Sequence, residues 1–170
     1  VAVGDNTGQV TVFVCGDKVY SFDANRDKSP VTALATCASS ETSIILLIGC
    51  ADGMVLSYTY ELKKTPASPN NVANTQAVLV NSEVNSSPLK QLQLMDSRRV
   101  FAVDEKGVVS AWNLANDVLR KVLDLGDSYG TTTAVYVASE ELLVTGHSSG
   151  EVIMWDSLMW HSTGVLQHAH

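Results

Sequence analysis

One pattern recurs four times along this chain, and it restricts the fold more than any other feature. Its fullest copy is Gly146-His147-Ser148-Ser149-Gly150-Glu151-Val152-Ile153-Met154-Trp155-Asp156. Aligned on the glycine that closes the turn, the copies are headed by Gly8, Gly53, Gly107 and Gly150, separated by 45, 54 and 43 residues. A valine stands two positions after each glycine: Val10, Val55, Val109 and Val152. An aromatic stands five positions after it: Phe13, Tyr58, Trp112 and Trp155. Four positions before it, three copies carry a second glycine, Gly4, Gly49 and Gly146, and the third copy carries Val103. Short apolar runs precede the turns, Val1 to Val3, Ile44 to Ile48, Val100 to Val103 and Leu142 to Val144. Each copy therefore reads as strand, tight turn, strand. Self-similarity at a period of roughly 40 to 55 residues marks stacked or radial repeat architectures, and it is weighed before any local propensity.

Between the copies the chain continues in strands. Val10, Val12 and Val14 alternate with polar residues in the way of a half-buried strand. Lys18 to Phe22 follows as a further strand, and Pro30 opens Val31 to Cys37, a place where a strand tolerates proline. Glu61 to Ala73 contains Thr65-Pro66-Ala67-Ser68-Pro69-Asn70-Asn71, which cannot continue a ladder. This stretch reads as an exposed insertion over 61–74 and accounts for the long interval. Thr75 to Val80 returns to strand, with a loop expected over Asn81 to Ser87. The third copy offers strands at Leu89 to Leu94, Val100 to Val103, Gly107 to Leu114 and Val118 to Leu123. The fourth offers Thr132 to Ala138, Leu142 to Thr145, Glu151 to Asp156 and Thr163 to Gln167. Short loops make consecutive strands pair as a meander. The expectation is an all-β chain with structural units over 1–22, 31–80, 89–123 and 132–170.

Composition narrows the function classes. The net charge of −7 argues against a duplex nucleic-acid binder, whose expected footprint is a basic patch. It suits solubility and basic protein partners. The longest apolar run, Ile44 to Ile48, is far short of the roughly 18 residues a membrane helix needs, so no membrane span is expected. Cys15, Cys37 and Cys50 are odd in number and form no CxxC pair. Buried, reduced thiols fit their apolar contexts, which points to an intracellular setting, the cytoplasm ahead of the nucleus. Because the first residue is Val1, the sequence reads as a fragment of a longer chain.

The recurring glycines, the Gly-x-Val steps and the aromatics, with Trp155-Asp156 carrying the full dipeptide and Trp112-Asn113 a near match, resemble the tryptophan-aspartate (WD) repeat family. That resemblance implies a β-propeller of about four four-stranded antiparallel blades, the first incomplete, forming part of a larger ring. Independently of the resemblance, a lone four-stranded sheet cannot bury both its faces, so each unit must pack against its neighbours. A closed ring of the usual size needs more copies at roughly 40 to 45 residues each. The rest of the chain, or a partner subunit, is expected to complete it. The isolated 170 residues should then be loosely folded or aggregation-prone, and a sharp cooperative melt of a monomer would contradict this.

No catalytic constellation emerges. Gly146-His147-Ser148-Ser149-Gly150 spells a G-x-S-x-G elbow, but an elbow leads from strand into helix, whereas Glu151 to Asp156 is β-patterned. His161, His168 and His170 lack a cysteine or carboxylate cluster to complete a metal site, and no cofactor is expected. Every proline follows Ser or Thr, at Ser29-Pro30, Thr65-Pro66, Ser68-Pro69 and Ser87-Pro88. Turn chemistry accounts for these. Thr65 and Ser68, in the polar insertion, are the best sites for proline-directed phosphorylation. Asn85-Ser86-Ser87 is a sequon weakened by Pro88.

In the propeller that the resemblance implies, the four glycine turns share one face, which collects Asp5, Asp52, Asp104, Glu105 and His147 as a rim for a basic partner segment. Ordinary solvated turn residues are the competing account. The overall expectation is a non-catalytic protein–protein interaction scaffold, one subunit of an intracellular multiprotein assembly. The alternative is a receptor that reads a peptide or its modification, such as a ubiquitin ligase adaptor. It would need an aromatic cage or basic pocket on one face, and Arg98-Arg99 is the only arginine pair.

Overall fold

The computed structural model describes residues 1–14, 16–24, 27–40, 43–61, 78–84, 87–96, 98–115, 118–125 and 130–166. All regular structure among them is β. The first sheet has three strands, β1 (Ala2–Gly4), β2 (Gln9–Val14) and β3 (Asp17–Asp23). The second has four, β4 (Val31–Ser40), β5 (Ser43–Cys50), β6 (Met54–Glu61) and β7 (Val78–Val84). The third comprises β8 (Leu89–Leu94), β9 (Arg99–Asp104), β10 (Val109–Ala115) and β11 (Val118–Asp124). The fourth comprises β12 (Thr131–Val137), β13 (Leu142–His147), β14 (Val152–Asp156) and β15 (Ser162–Leu166). Every ladder is antiparallel and joins strands consecutive in sequence, as the short loops require.

One expected boundary is corrected. The sequence suggests loop over residues 81–84, yet β7 runs through Val84, pairing Asn81, Ser82 and Glu83 with Ser57, Leu56 and Val55. An outer strand needs only its backbone to extend a ladder, so a polar Asn-Ser-Glu run is no obstacle.

The repeat extends to local irregularities. In each four-stranded sheet the first strand carries a bulge at the same place, skipping Thr32, Lys90 or Thr132. Each outer ladder slips just before the aromatic column, at Val12/Phe13, Ser57/Tyr58, Ala111/Trp112 and Met154/Trp155. The extra residue on the outer strand is Val19, Val80, Val122 or Thr163, always β-branched. Bulges raise the local twist, and β-branched residues fit a strongly twisted edge.

Packing follows from strand periodicity. The valine and the aromatic of each copy are three residues apart, so they point to opposite faces of their sheet. Val10, Val55 and Val109 accordingly join the core shared with the next sheet, while Tyr58, Trp112 and Trp155 join the core shared with the previous one. Three cores result. The first packs Val10 and Val12 against Leu46, Ile48 and Tyr58. The second packs Ile45, Leu47 and Val55 against Leu89, Val100 and Trp112. The third packs Phe101, Val103 and Val109 against Leu143, Ile153 and Trp155. Odd and even residues of the run Ile45-Leu46-Leu47-Ile48 thus serve different cores, which explains a continuous apolar strand in an antiparallel sheet. Fully burying a side chain of this size is worth about 1.5–3 kcal/mol.

The second glycine column lets neighbouring sheets approach. A Cβ at Gly49 would lie 2.7 Å from Leu89 Cδ1 at the start of the next sheet, and a Cβ at Gly4 would overlap Val31 in the same way.

Candidate interaction surface

The four glycine turns share one geometry. Gly8, Gly53, Gly107 and Gly150 have φ between 78° and 85°, a region where other residues are strained. Each donates its N–H to the carbonyl three residues back, on Asp5, Cys50, Asp104 and His147, at 3.0–3.3 Å. Side chains brace the turns further. Asp5 Oδ1 accepts from the N–H groups of Thr7 and Gln9 and from the Thr7 hydroxyl. Asp104 Oδ1 accepts from Val108 N–H at 2.8 Å, and Asp52 Oδ1 from Met54 N–H at 3.0 Å. The hydroxyl and N–H donors on Asp5 hold its carboxyl below the ordinary carboxylate range.

Three of the turns are also pinned to the segment entering the first strand of their own sheet. Ala51, Glu105 and Ser148, at one column of the repeat, donate N–H to the carbonyls of Pro30, Pro88 and Gly130 at 2.8–3.1 Å. At Pro30 and Pro88 a residue without an N–H still supplies the carbonyl needed.

The sequence places Asp5, Asp52, Asp104, Glu105 and His147 together on this rim, and the structure sorts them by burial. Asp5, Asp52 and Glu105 are exposed. Asp104 and His147 are buried, so of the five expected rim residues these two do not present their side chains at the surface. Each is the last residue of its strand, β9 or β13, and is enclosed with it, Asp104 accepting from Val108 N–H and His147 lying between Thr131 and Thr145.

His147 lies within a buried polar chain. Its Nε2 is 2.7 Å from Thr145 Oγ1 and its Nδ1 3.3 Å from Thr131 Oγ1, and Trp155 Nε1 donates to Thr145 Oγ1 at 2.9 Å. Buried polar groups hold their place only when partnered in this way. The histidine and tryptophan here build the blade. Trp112 Nε1, the counterpart of Trp155 Nε1 one sheet earlier, is buried without a partner because Ala102 occupies the column of Thr145.

The opposite end of the sheets holds a second cluster that the sequence does not announce beyond the pair Arg98-Arg99. Arg99 donates Nε to Asp96 Oδ2 at 2.6 Å, Nη1 to the carbonyl and hydroxyl oxygens of Ser157, and Nη2 to the Tyr136 hydroxyl. It therefore ties the third sheet to the fourth. Burial pushes the Asp96 carboxyl up, but the N–H groups of Arg98 and Arg99 with the Arg99 guanidinium outweigh this and hold it low. Beside this cluster, Asp156 Oδ1 accepts from the N–H groups of Met159 and Leu158, which lower its pKa and fix the β14–β15 turn.

Ser148 of the apparent elbow sits exposed in a turn leading into strand β14, so the elbow geometry is not formed. His161 is exposed, whereas His168 and His170 lie outside the described residues, as do Thr65, Ser68 and Asn85. Cys50 is a fully buried thiol, Cys15 lies outside the described residues, and no group of metal-ligating side chains forms among the described residues.

No family model matches the chain, and no curated protein matches it. Solved structures do. The β-propeller domain of Cps50 (Swd1) from Myceliophteria thermophila superposes with a TM-score of 0.71 at 15% identity, over 99% of this chain and 51% of that one. The fold is that of a β-propeller. A chain of the Mitotic Checkpoint Complex gives 0.70 at 14% identity, over 98% and 48%, and Sqt1 from Chaetomium thermophilum gives 0.61 at 16%, over 83% and 33%. This chain thus spans between 33% and 51% of these three chains, and its four sheets correspond to blades of a propeller.

Proposed function

We propose that these residues form part of a WD-repeat propeller acting as a non-catalytic protein–protein interaction scaffold in an intracellular multiprotein assembly, the cytoplasm being its place ahead of the nucleus. The observation carrying this reading is the turn face. Four turns are built alike and braced by backbone hydrogen bonds, and the first three hold Asp5, Asp52 and Glu105 out to solvent, one on each. A surface held rigid before binding loses little conformational entropy when a partner docks. Its acidic side chains suit basic protein segments and repel nucleic acid. The polar groups that might suggest chemistry, Asp104, His147 and Thr145, are spent on fold. Similarity to a chain of the Mitotic Checkpoint Complex fits a place in a larger assembly and supplies no partner for this protein. The remaining blades are supplied by the rest of the chain or by a partner subunit.

The test is affinity purification of the full chain with and without these residues, followed by charge reversal of the exposed Asp52 and Glu105. Deletion should deplete a defined set of proteins, and D52K with E105K should weaken those that dock on the rim. A deletion that changes no partner while the chain stays folded would remove the scaffold reading.

A further inference from the structure

The fourth glycine turn departs from the other three. Asp5, Asp52 and Glu105 give each of the first three an exposed acid, whereas the fourth reads His147-Ser148-Ser149-Gly150, with His147 buried and two exposed serines in place of a carboxylate. Ser148 occupies the column of Glu105. The two backbones are held alike. Glu105 N–H donates to the Pro88 carbonyl at 2.8 Å and Ser148 N–H to the Gly130 carbonyl at 3.1 Å, while Gly107 and Gly150 close their turns at φ 82° and 85°. A group on Ser148 therefore leaves its turn where the Glu105 carboxylate leaves the one before. The third sheet packs against a neighbour on each face and Glu105 is still exposed, so exposure in this column belongs to the turn and not to the place of the fourth sheet in the chain.

The two serines differ in what they hold. Ser149 Oγ donates to Glu151 Oε2 at 3.1 Å and accepts from Glu151 N–H, whereas the Ser148 hydroxyl takes no hydrogen bond among the described residues. Room around it comes from the loop before the sheet. Gly130 stands where the second and third sheets have Pro30 and Pro88, and a Cβ there would lie 2.8 Å from Ser148 Oγ. Three residues after Ser148, Glu151 sets a carboxylate at the spacing that an acid-directed protein kinase reads through charge complementarity beside the serine it modifies.

We infer that Ser148 is a phosphorylation site for an acid-directed serine kinase, and that its phosphate completes the acidic rim at the fourth turn. The co-substrate is ATP. Ser148 Oγ bonds to the γ-phosphorus as the bond to the β–γ bridging oxygen breaks, ADP leaves, and the hydroxyl proton passes to the kinase's base. A neutral side chain then carries a charge of about −1.5 to −2 at pH 7. Residues 131–170 contain no lysine or arginine, so no cation of this sheet neutralises it. The inference rests on the scaffold reading and gives its rim a regulator, since a basic segment docked across the turns gains attraction when Ser148 is modified.

The experiment uses the full chain, an acid-directed serine kinase and magnesium ATP. Mass spectrometry reads the modified residue, and fluorescence anisotropy of an octalysine peptide reads the rim. Phosphate should appear on Ser148, persist there in Ser149→Ala and be absent from the turn in Ser148→Ala. Glu151→Gln should slow its incorporation at least tenfold. The phosphorylated chain should bind octalysine at least threefold more tightly than the unmodified one, and the gain should vanish in high salt. Phosphate on Ser149 alone, none on this turn, unslowed labelling of the Glu151 variant, or unchanged octalysine affinity each overturns the inference. If D52K with E105K weakens octalysine binding while Ser148 stays unmodified, the switch fails and the rim stands. If that variant binds octalysine as the wild type does, the rim reading falls and takes the switch with it.

Discussion

Blades three and four are built on one template and filled in opposite ways. The contrast lies in the aromatic column. Trp112 is sealed among Val100, Ala102 and Leu114 with its N–H unpaired, while Trp155 hands its N–H to Thr145 within the His147 chain. A blade can thus seat its aromatic by apolar enclosure or by a satisfied polar network, and the template fixes only the place of the ring.

The sharpest way to break the comparison is to remove each ring. Trp112→Ala should cost the most, about 3–5 kcal/mol, because a fully enclosed indole leaves a cavity that neighbours on both sides cannot collapse. Trp155→Ala should cost less, since its indole is 6% exposed where that of Trp112 is fully sealed. Thermal melts of the full chain compare them, and equal losses would show that complete enclosure of the ring adds nothing.

Thr145→Val comes next. It keeps the shape and deletes the hydroxyl between Trp155 Nε1 and His147 Nε2, leaving both buried groups without it. The expected loss is about 2 kcal/mol, the scale of taking one partner away from buried polar groups. A loss under about 0.5 kcal/mol would mean that the network is incidental to the packing.

How much of this was legible beforehand depends on whether a feature belongs to the repeat or departs from it. The hairpins, the positive-φ glycines and the opposed valine and aromatic faces follow from spacing alone, because period-2 strands and left-handed turns leave few choices. His147 shows the limit. A histidine in a turn reads as exposed, and only the partners Thr131 and Thr145, brought together by folding, make it a buried member of a chain. Arg99 is the same kind of case, since Asp96 is near in sequence but Ser157 and Tyr136 are brought to it by the neighbouring blade. The pairing of 81–84 leaves no mark in the sequence because outer-strand pairing makes no demand on side chains.

Ala102→Ser sharpens the comparison from the other side. It places a hydroxyl in the column of Thr145, beneath the unpaired Trp112 Nε1. A new hydrogen bond there should raise stability by about 1 kcal/mol. A destabilised variant would show that the third blade is too tightly packed to accept even one added oxygen.

The smallest expected effect concerns the link between the two blades. The folded chain holds the Asp96 carboxyl below its ordinary value of 3.8, while the unfolded chain returns it there. The unfolded state therefore binds a proton more readily, and stability rises with pH across this range. Whatever the Asp96–Arg99 pair contributes is fully present at neutral pH and is lost as pH falls below about 4. The pair is partly exposed, so the contribution is modest and weakens with salt. Asp96→Asn should lower the melting temperature at pH 7 in low salt and lose most of that difference at pH 3. If the gap between wild type and variant stayed constant with pH, the carboxylate charge would not be the link, and the Ser157 and Tyr136 contacts of Arg99 would be left to join blade three to blade four.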